Sequence, residues 1–250
     1  FVKPYRKNNK SDRNDAEAIC EAVGRQNMRF VAIKSEEQQV MLSLHRMHEG
    51  SKHERTALAN RLRGLLAEFG IVLPKGIERL RRQLPVVLAQ ERLPAAMNQL
   101  MADGLKRLRE LDEVVGQQER QIKLLGMHSE PVRRLMDARG IGPMTATAAV
   151  ATIGDAKLFK NGRAVAAWLG LVPRHSGTGG KIWMGGITGK GDTYLRTLLV
   201  QGARSVLNTT RGKSDPLSVW VERLRARSGD NVAAVALAAK NARMIWAMLA

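Results

Sequence analysis

The chain has 250 residues, 44% of them hydrophobic but only 4% aromatic, so one large or two ordinary domains must be built on Leu, Val, Ala, Ile and Met. Its formal net charge of +18 points to a polyanionic partner, nucleic acid before an acidic membrane surface. A single cysteine and the lack of any run of 18 apolar residues exclude an internal disulfide framework and leave no membrane span or membrane partner expected.

Residues 1–34 read as a basic, partly extended opening, a short helix, and an apolar strand-like stretch at 29–33. The chain opens on Phe-Val-Lys rather than Met, so a natural segment before it is expected. No signal peptide is recognisable, which with the lone thiol suggests a reducing cytoplasm. If the helix starts near Asp12, then Asp12 and Asp15 lie three residues apart and share a face. Such a pair suits Mg2+, which prefers oxygen ligands, but two carboxylates are too few for a two-metal centre. Cys20 in the same helix reads as a buried structural thiol.

Ser35 followed by Glu36 and Glu37 reads as a capped helix start. The helical pattern then runs to Phe69, with Leu58, Leu62, Leu65, Leu66 and Phe69 on one face. His45 and His48 fall on the polar side and read as solvated. Residues 75–99 hold Pro85 and Pro94 and read as short helices joined by turns. A second long helix is expected over 100–125. Met101, Leu108, Leu111, Val115, Ile122 and Leu125 follow steps of three and four once Gly104 and Gln118 complete the register, the mark of a coiled-coil seam. The two long helices predict either an antiparallel hairpin or a dimerisation arm, hence a homo-oligomer, dimer or tetramer.

From Pro131 onward, helices are expected at 131–137, 144–152 and 163–169, the last with Trp168 in the core. Leu135-Met-Asp-Ala-Arg-Gly-Ile-Gly-Pro-Met-Thr-Ala146 resembles a helix-hairpin-helix. Arg139, Gly140 and Gly142 would there meet a DNA phosphate, because the free N–H groups and dipole of a helix start favour an anion. Residues 173–192 then carry seven glycines, two lysines, an arginine and three hydroxyl side chains. Glycine lets a backbone approach a phosphate closely, and successive N–H groups in tight turns form anion-binding concavities. Arg174, His175, Gly179, Gly180, Lys181 and Lys190 are the candidate phosphate contacts here, and Ser176, Thr178 and Thr188 offer hydroxyls. His175 could orient a phosphate or assist proton transfer, and Trp183 could contact a base or sugar. The helix expected from about residue 192 adds Arg196, and a last alanine-rich helix is expected over 232–249. Residues 131–215 hold 13 Lys and Arg against 4 Asp, so the positive excess concentrates around these motifs.

Three of these segments occur in the order found in a bacterial insertion-sequence transposase family, the "one-ten" family, nearer its "eleven-eleven" branch. The chain resembles it in Lys10-Ser-Asp-Arg-Asn-Asp-Ala-Glu-Ala-Ile19, in Arg139-Gly-Ile-Gly-Pro-Met-Thr-Ala146 with Phe159-Lys-Asn-Gly-Arg163 and Trp168-Leu-Gly-Leu-Val-Pro-Arg174, and in the glycine loop leading into Asp192-Thr-Tyr-Leu-Arg-Thr-Leu-Leu-Val-Gln-Gly-Ala-Arg204. The resemblance implies a mainly α chain in three parts. Residues 1–34 would be the remnant of an RNase H/RuvC-like DEDD domain, 35–130 a coiled-coil connector, and 131–250 a transposase domain with a helix-hairpin-helix and a serine loop. It implies DNA strand cleavage and transfer, with Mg2+ on four carboxylates and a serine joined covalently to DNA. It also implies a noncoding bridge RNA as guide, pairing with donor and target DNA. Asp12 and Asp15 match the last two acids, and the first two belong to a preceding segment, so the fragment alone is expected to be inactive. The family's paired small residues before Gly-Gly-Lys align with Gly177 and Thr178, leaving Ser176 one step early, so both Ser176 and Thr178 remain candidate nucleophiles. A junction-type nuclease using only the metal, or a non-enzymatic binder of structured DNA or RNA, are the alternatives.

Overall fold

The computed structural model describes residues 11–25, 33–90 and 92–250 and divides the chain into two units, Phe1–Ile33 and Lys34–Ala250. The expected extended opening and most of the strand-like stretch at 29–33 lie outside the described residues. In the first unit the described element is helix α1 (Asp12–Val23), capped by Ser11, whose hydroxyl accepts from the Asn14 amide. Ala18 and Ala22 form its buried face. Cys20 sits between them in sequence and therefore off that face, and it is exposed rather than buried.

The second unit is mainly helical. Helix α2 (Glu36–Glu68) is capped by Ser35, as the sequence anticipates, and Gln38 closes a reciprocal capping box with it. Helix α3 (Ile77–Ala89) follows, then α4 (Ala95–His128), which begins earlier and ends later than the periodicity suggests. Helices α2 and α4 run antiparallel. His48 meets Glu119, Arg55 meets Asp112, and Leu62 packs where Gly104 has no side chain. On α2 these pairs step by seven residues, the spacing of a heptad seam. A Cβ at Gly104 would lie 2.4 Å from Leu62 Cδ2, so the missing side chain is the space into which Leu62 packs. Leu62, Leu66, Leu80, Leu84, Met101 and Leu108 make the core of this arm, and α3 is tied in by Arg81, which shares Asp112 with Arg55. Leu125 at the end of the seam is 44% exposed.

A second core lies under the remainder of the chain. It is built by α5 (Glu130–Met136), α6 (Pro143–Ile153), α7 (Gly162–Trp168), α8 (Thr193–Leu207) and α9 (Pro216–Leu249). Helix α9 starts well before the expected residue 232 and breaks at Gly229, whose φ of 80° is outside the helical range. By length and composition α9 could cross a bilayer, but Val221, Leu237 and Ile245 are fully buried in this core. Trp168 is 37% exposed and tilts against Phe159, so it edges the core instead of filling it.

His45 and His48 depart most from expectation. They are 2% and 3% exposed, because the first half of α2 is covered by α6 and α8 as well as by α4. His45 Nδ1 meets the Tyr194 hydroxyl at 2.8 Å and Nε2 meets Thr147 Oγ1 at 3.0 Å. Burial pushes the His45 pKa down to about 4, aided by the neighbouring His48. His45 is thus neutral at neutral pH and joins α2, α6 and α8 through hydrogen bonds.

Candidate active site and nucleic-acid interface

The glycine-rich segment folds as a two-stranded antiparallel ribbon, β1 (Pro173–Thr178) and β2 (Lys181–Ile187), the only sheet among the described residues. Gly179 and Gly180 form its two-residue turn with φ of 58° and 80°, the paired positive values that a type I′ hairpin requires and that only glycine adopts freely. Thr178 pairs with Lys181, Gly177 with Ile182, Ser176 with Trp183 and His175 with Met184. Residues paired across a ladder share a face, and faces alternate along a strand.

Ser176, Thr178, Lys181 and Trp183 therefore lie on one face. Arg174 joins them beside Gly185, where an added Cβ would stand 3.8 Å from the Arg174 Cβ. His175, Gly177, Ile182 and Met184 occupy the other face. His175, next to Ser176 in sequence, is thus turned away from it by the register. All these side chains are exposed, including Ile182, Trp183 and Met184 at 58–70%. A ribbon bare on both faces has little to stabilise it except its base and whatever it binds.

That base is tightly built. Gly170 and Gly191 have φ of 71° and 84°, and a Cβ at Gly191 would fall 1.9 Å from the Trp168 carbonyl oxygen. The Thr188 amide donates to Val172 O, and the Arg196 guanidinium donates to the Leu169 and Lys190 carbonyls and to Thr193 Oγ1. Arg196 thereby pins both ends of the ribbon to the start of α8, whose cap is Asp192. Thr188 Oγ1 is enclosed at this base without a partner, so it is not presented with the other hydroxyls.

The candidate cations fall into two groups. Arg139 and Arg196 are engaged within the fold, Arg139 with Asp215 at 2.8 Å and with Ser218. Asp215 is held below the usual carboxylate range by its hydrogen bonds from Ser218 and by Arg139. Arg174, Lys181 and Lys190 are exposed and have no partner among the described residues. Between Asp155 and Asp192 the sequence has no acid but six Lys and Arg, so nothing local neutralises them.

Gly140 and Gly142 stand where the sequence places them, in the turn from α5 to α6, with Ile141 buried between. A Cβ at Gly202 would lie 2.0 Å from Gly140 O, so this turn packs on the backbone of α8. Gly142 caps α6 and is exposed; Pro143, which follows it, has no N–H and Thr145 is buried, so the amides of Gly142 and Met144 are the ones nearest solvent at this helix start. In the first unit, Asp12 and Asp15 both lie in the first turn of α1. Among the described residues no group of three or more His, Cys, Asp and Glu converges. Two carboxylates on one turn can contribute to a Mg2+ site but cannot complete it.

Comparison with known proteins agrees with these motifs. A family model described as "Transposase IS116/IS110/IS902 family" matches residues 132–216, which contain the ribbon, and a DEDD transposase model of the IS110 group matches residues 1–71. The chain is 47% identical to a probable family 20 transposase of Pseudomonas aeruginosa, covering all of this chain and 75% of that protein. It is 41% identical to the transposase for insertion sequence element IS1111A of Coxiella burnetii, covering 99% of this chain and 69% of that one. The transposase for element IS1328 of Yersinia enterocolitica is 39% identical over 98% of this chain and 73% of its own length.

Proposed function

This chain belongs to the IS116/IS110/IS902 family of transposases, and we propose that its exposed β-ribbon is the element that engages DNA and presents the attacking hydroxyl. The observation that carries the reading is the shared face of Arg174, Ser176, Thr178 and Lys181, with unpartnered cations beside both hydroxyls. A two-stranded ribbon is narrow enough to enter the major groove. Arg174, Lys181 and Lys190 then contact phosphates, while the amides of Gly142 and Met144 at the start of α6 meet another. Arg139 and Arg196 support the reading indirectly, by holding α9 and the ribbon base in place.

The hydroxyl of Ser176 or Thr178 gives up its proton as its oxygen attacks a backbone phosphorus, forming a phosphoester as the bond to the departing deoxyribose oxygen breaks, and that oxygen takes up a proton in turn. A primary hydroxyl is less hindered than a β-branched one, which favours Ser176. Lys181, on the same face, stabilises the charge that grows on the non-bridging oxygens. Asp12 and Asp15 would supply two carboxylates of a Mg2+ site, and the ion, when bound, would neutralise phosphate charge. The family resemblance supports the further partners, namely element ends and target DNA, a noncoding guide RNA and additional copies of the chain, with the cytoplasm as the place of action.

The test is a denaturing gel scored for protein-linked DNA. The chain is extended at its N-terminus by a segment carrying the first Asp and the Glu of the resemblance. Ser176→Ala is expected to abolish the adduct and Thr178→Ala to spare it, with DNA binding unchanged in both. Asp12→Ala and Asp15→Ala are also expected to abolish it. An adduct surviving both hydroxyl variants places the nucleophile elsewhere. Cleavage without any adduct favours the nuclease reading instead.

A further inference from the structure

Beside the ribbon base lies a groove of about 630 Å3 that the proposed chemistry leaves unused. Its walls are apolar, formed by Leu171, Val172, Val235, Ala236 and Ala239 with Trp220. Pro173, Gly185, Gly186 and Ile187 of the ribbon complete it. Two cations, Arg163 and Arg243, also line it, and no acid does. Both are exposed and have no ion-pair or hydrogen-bond partner among the described residues.

Their proximity is built in by a glycine. A Cβ at Gly162 would come within 2.9 Å of Arg243 Cα, so α7 and α9 cross backbone to backbone and bring both guanidiniums to one crossing. The acids of α9, Glu222 and Asp230, both pair with Arg225. Two unneutralised like charges at the rim of an apolar groove are unfavourable unless an anion arrives to sit between them.

A ligand matching this groove has a flat apolar body and an anionic group at its edge. We propose that the groove receives one unstacked nucleobase of a bound nucleic-acid strand, with Arg163 and Arg243 on the flanking phosphates. The volume falls in the range of roughly 300–1,000 Å3 typical of small-molecule sites. An aromatic wall and apolar side chains are what a base leaves its stack for, and guanidiniums suit phosphate geometry. The choice of occupant rests on the nucleic-acid reading above, because the ribbon that carries Arg174 and Lys181 is itself one wall of the groove. Pro173 and Ile187, which pair at the ribbon base, set the groove beside that base.

The experiment compares the affinity of the chain, at one salt concentration, for two short DNA duplexes. One is fully paired and the other carries a single unpaired 2-aminopurine, whose fluorescence reports its surroundings. The expected result is roughly tenfold tighter binding of the bulged duplex, with a fluorescence change on binding. Ala236→Trp fills the groove and is expected to remove that preference while leaving affinity for the paired duplex within about twofold. Arg163→Ala with Arg243→Ala, both at exposed positions, is expected to reduce it as well. Equal affinity of the wild type for both duplexes overturns the groove assignment and leaves the ribbon reading standing. A preference that persists in both variants overturns it too. If Ala236→Trp instead splits an oligomer in sedimentation with the preference intact, the occupant is a second copy of the chain. Failure to bind either duplex refutes both readings.

Discussion

Gly191 and Gly170 show how single residues set the position of the ribbon. Both require positive φ, and a Cβ at either would strike backbone, the Trp168 carbonyl for Gly191 and the Lys190 amide and carbonyl for Gly170. Gly191→Ala is expected to cost on the order of 2–3 kcal/mol in denaturant unfolding, because backbone cannot give way as a flexible side chain can. His45 makes a second prediction. Its folded pKa of about 4 lies below the ordinary histidine value of 6.5, so between those values the unfolded chain binds more protons, and stability falls as pH drops from 6.5 toward 4. His45→Gln is expected to remove that part of the pH dependence, seen as a smaller gap between unfolding midpoints at pH 7 and pH 5. An unchanged gap would place the titration in another group. Neither residue's role was legible in the sequence. Hydrophobic periodicity sees apolar side chains only, so a histidine buried among hydroxyls looks solvated. Arg196 likewise looks free until the carbonyls it serves are seen.

Among the elements, the arm was the most legible, because its steps of three and four residues reflect one continuous seam. Leu111 and Val115 are 5% and 3% exposed within it. Leu111→Asp combined with Val115→Asp puts two unpaired charges there, with an expected cost on the order of 4 kcal/mol or more. Circular dichroism should show a loss of helicity confined to part of the chain, and full helicity with an unchanged melting temperature would contradict the antiparallel pairing. The ribbon was legible as a glycine-rich segment rich in cations, but its strands were not. Neither β1 nor β2 alternates apolar with polar residues over a buried face, since neither face is buried, and only the Gly179–Gly180 turn hints at the pairing. The first half of α9 was hidden for a different reason. Gly229 interrupts the helical pattern, and Pro216 reads as a breaker although it occupies the first turn, where its missing N–H costs nothing.

At the scale of the molecule, the formal charge of +18 is what remains after every acid is counted, so internal ion pairs cannot remove it. The mostly buried α2–α4 seam and the second core account for the apolar residues, and the ribbon is left as the place where unpartnered cations, hydroxyls and exposed aromatic surface coincide. Composition announced the polyanionic partner; which arginines are free to meet it became visible only once Arg139 and Arg196 were seen bonded inside the fold. Whether the ribbon face holds DNA is read from the slope of log affinity for duplex DNA against log salt concentration, in the wild type, in Arg174→Ala with Lys181→Ala, and in Arg139→Ala. Each phosphate contact contributes about 0.9 to that slope. The ribbon double variant is therefore expected to lower its magnitude by about 2, with weaker binding to all sequences alike. Arg139→Ala should lower stability and leave the slope as in the wild type. A slope unchanged in the ribbon variant, or reduced only by Arg139→Ala, would contradict the account.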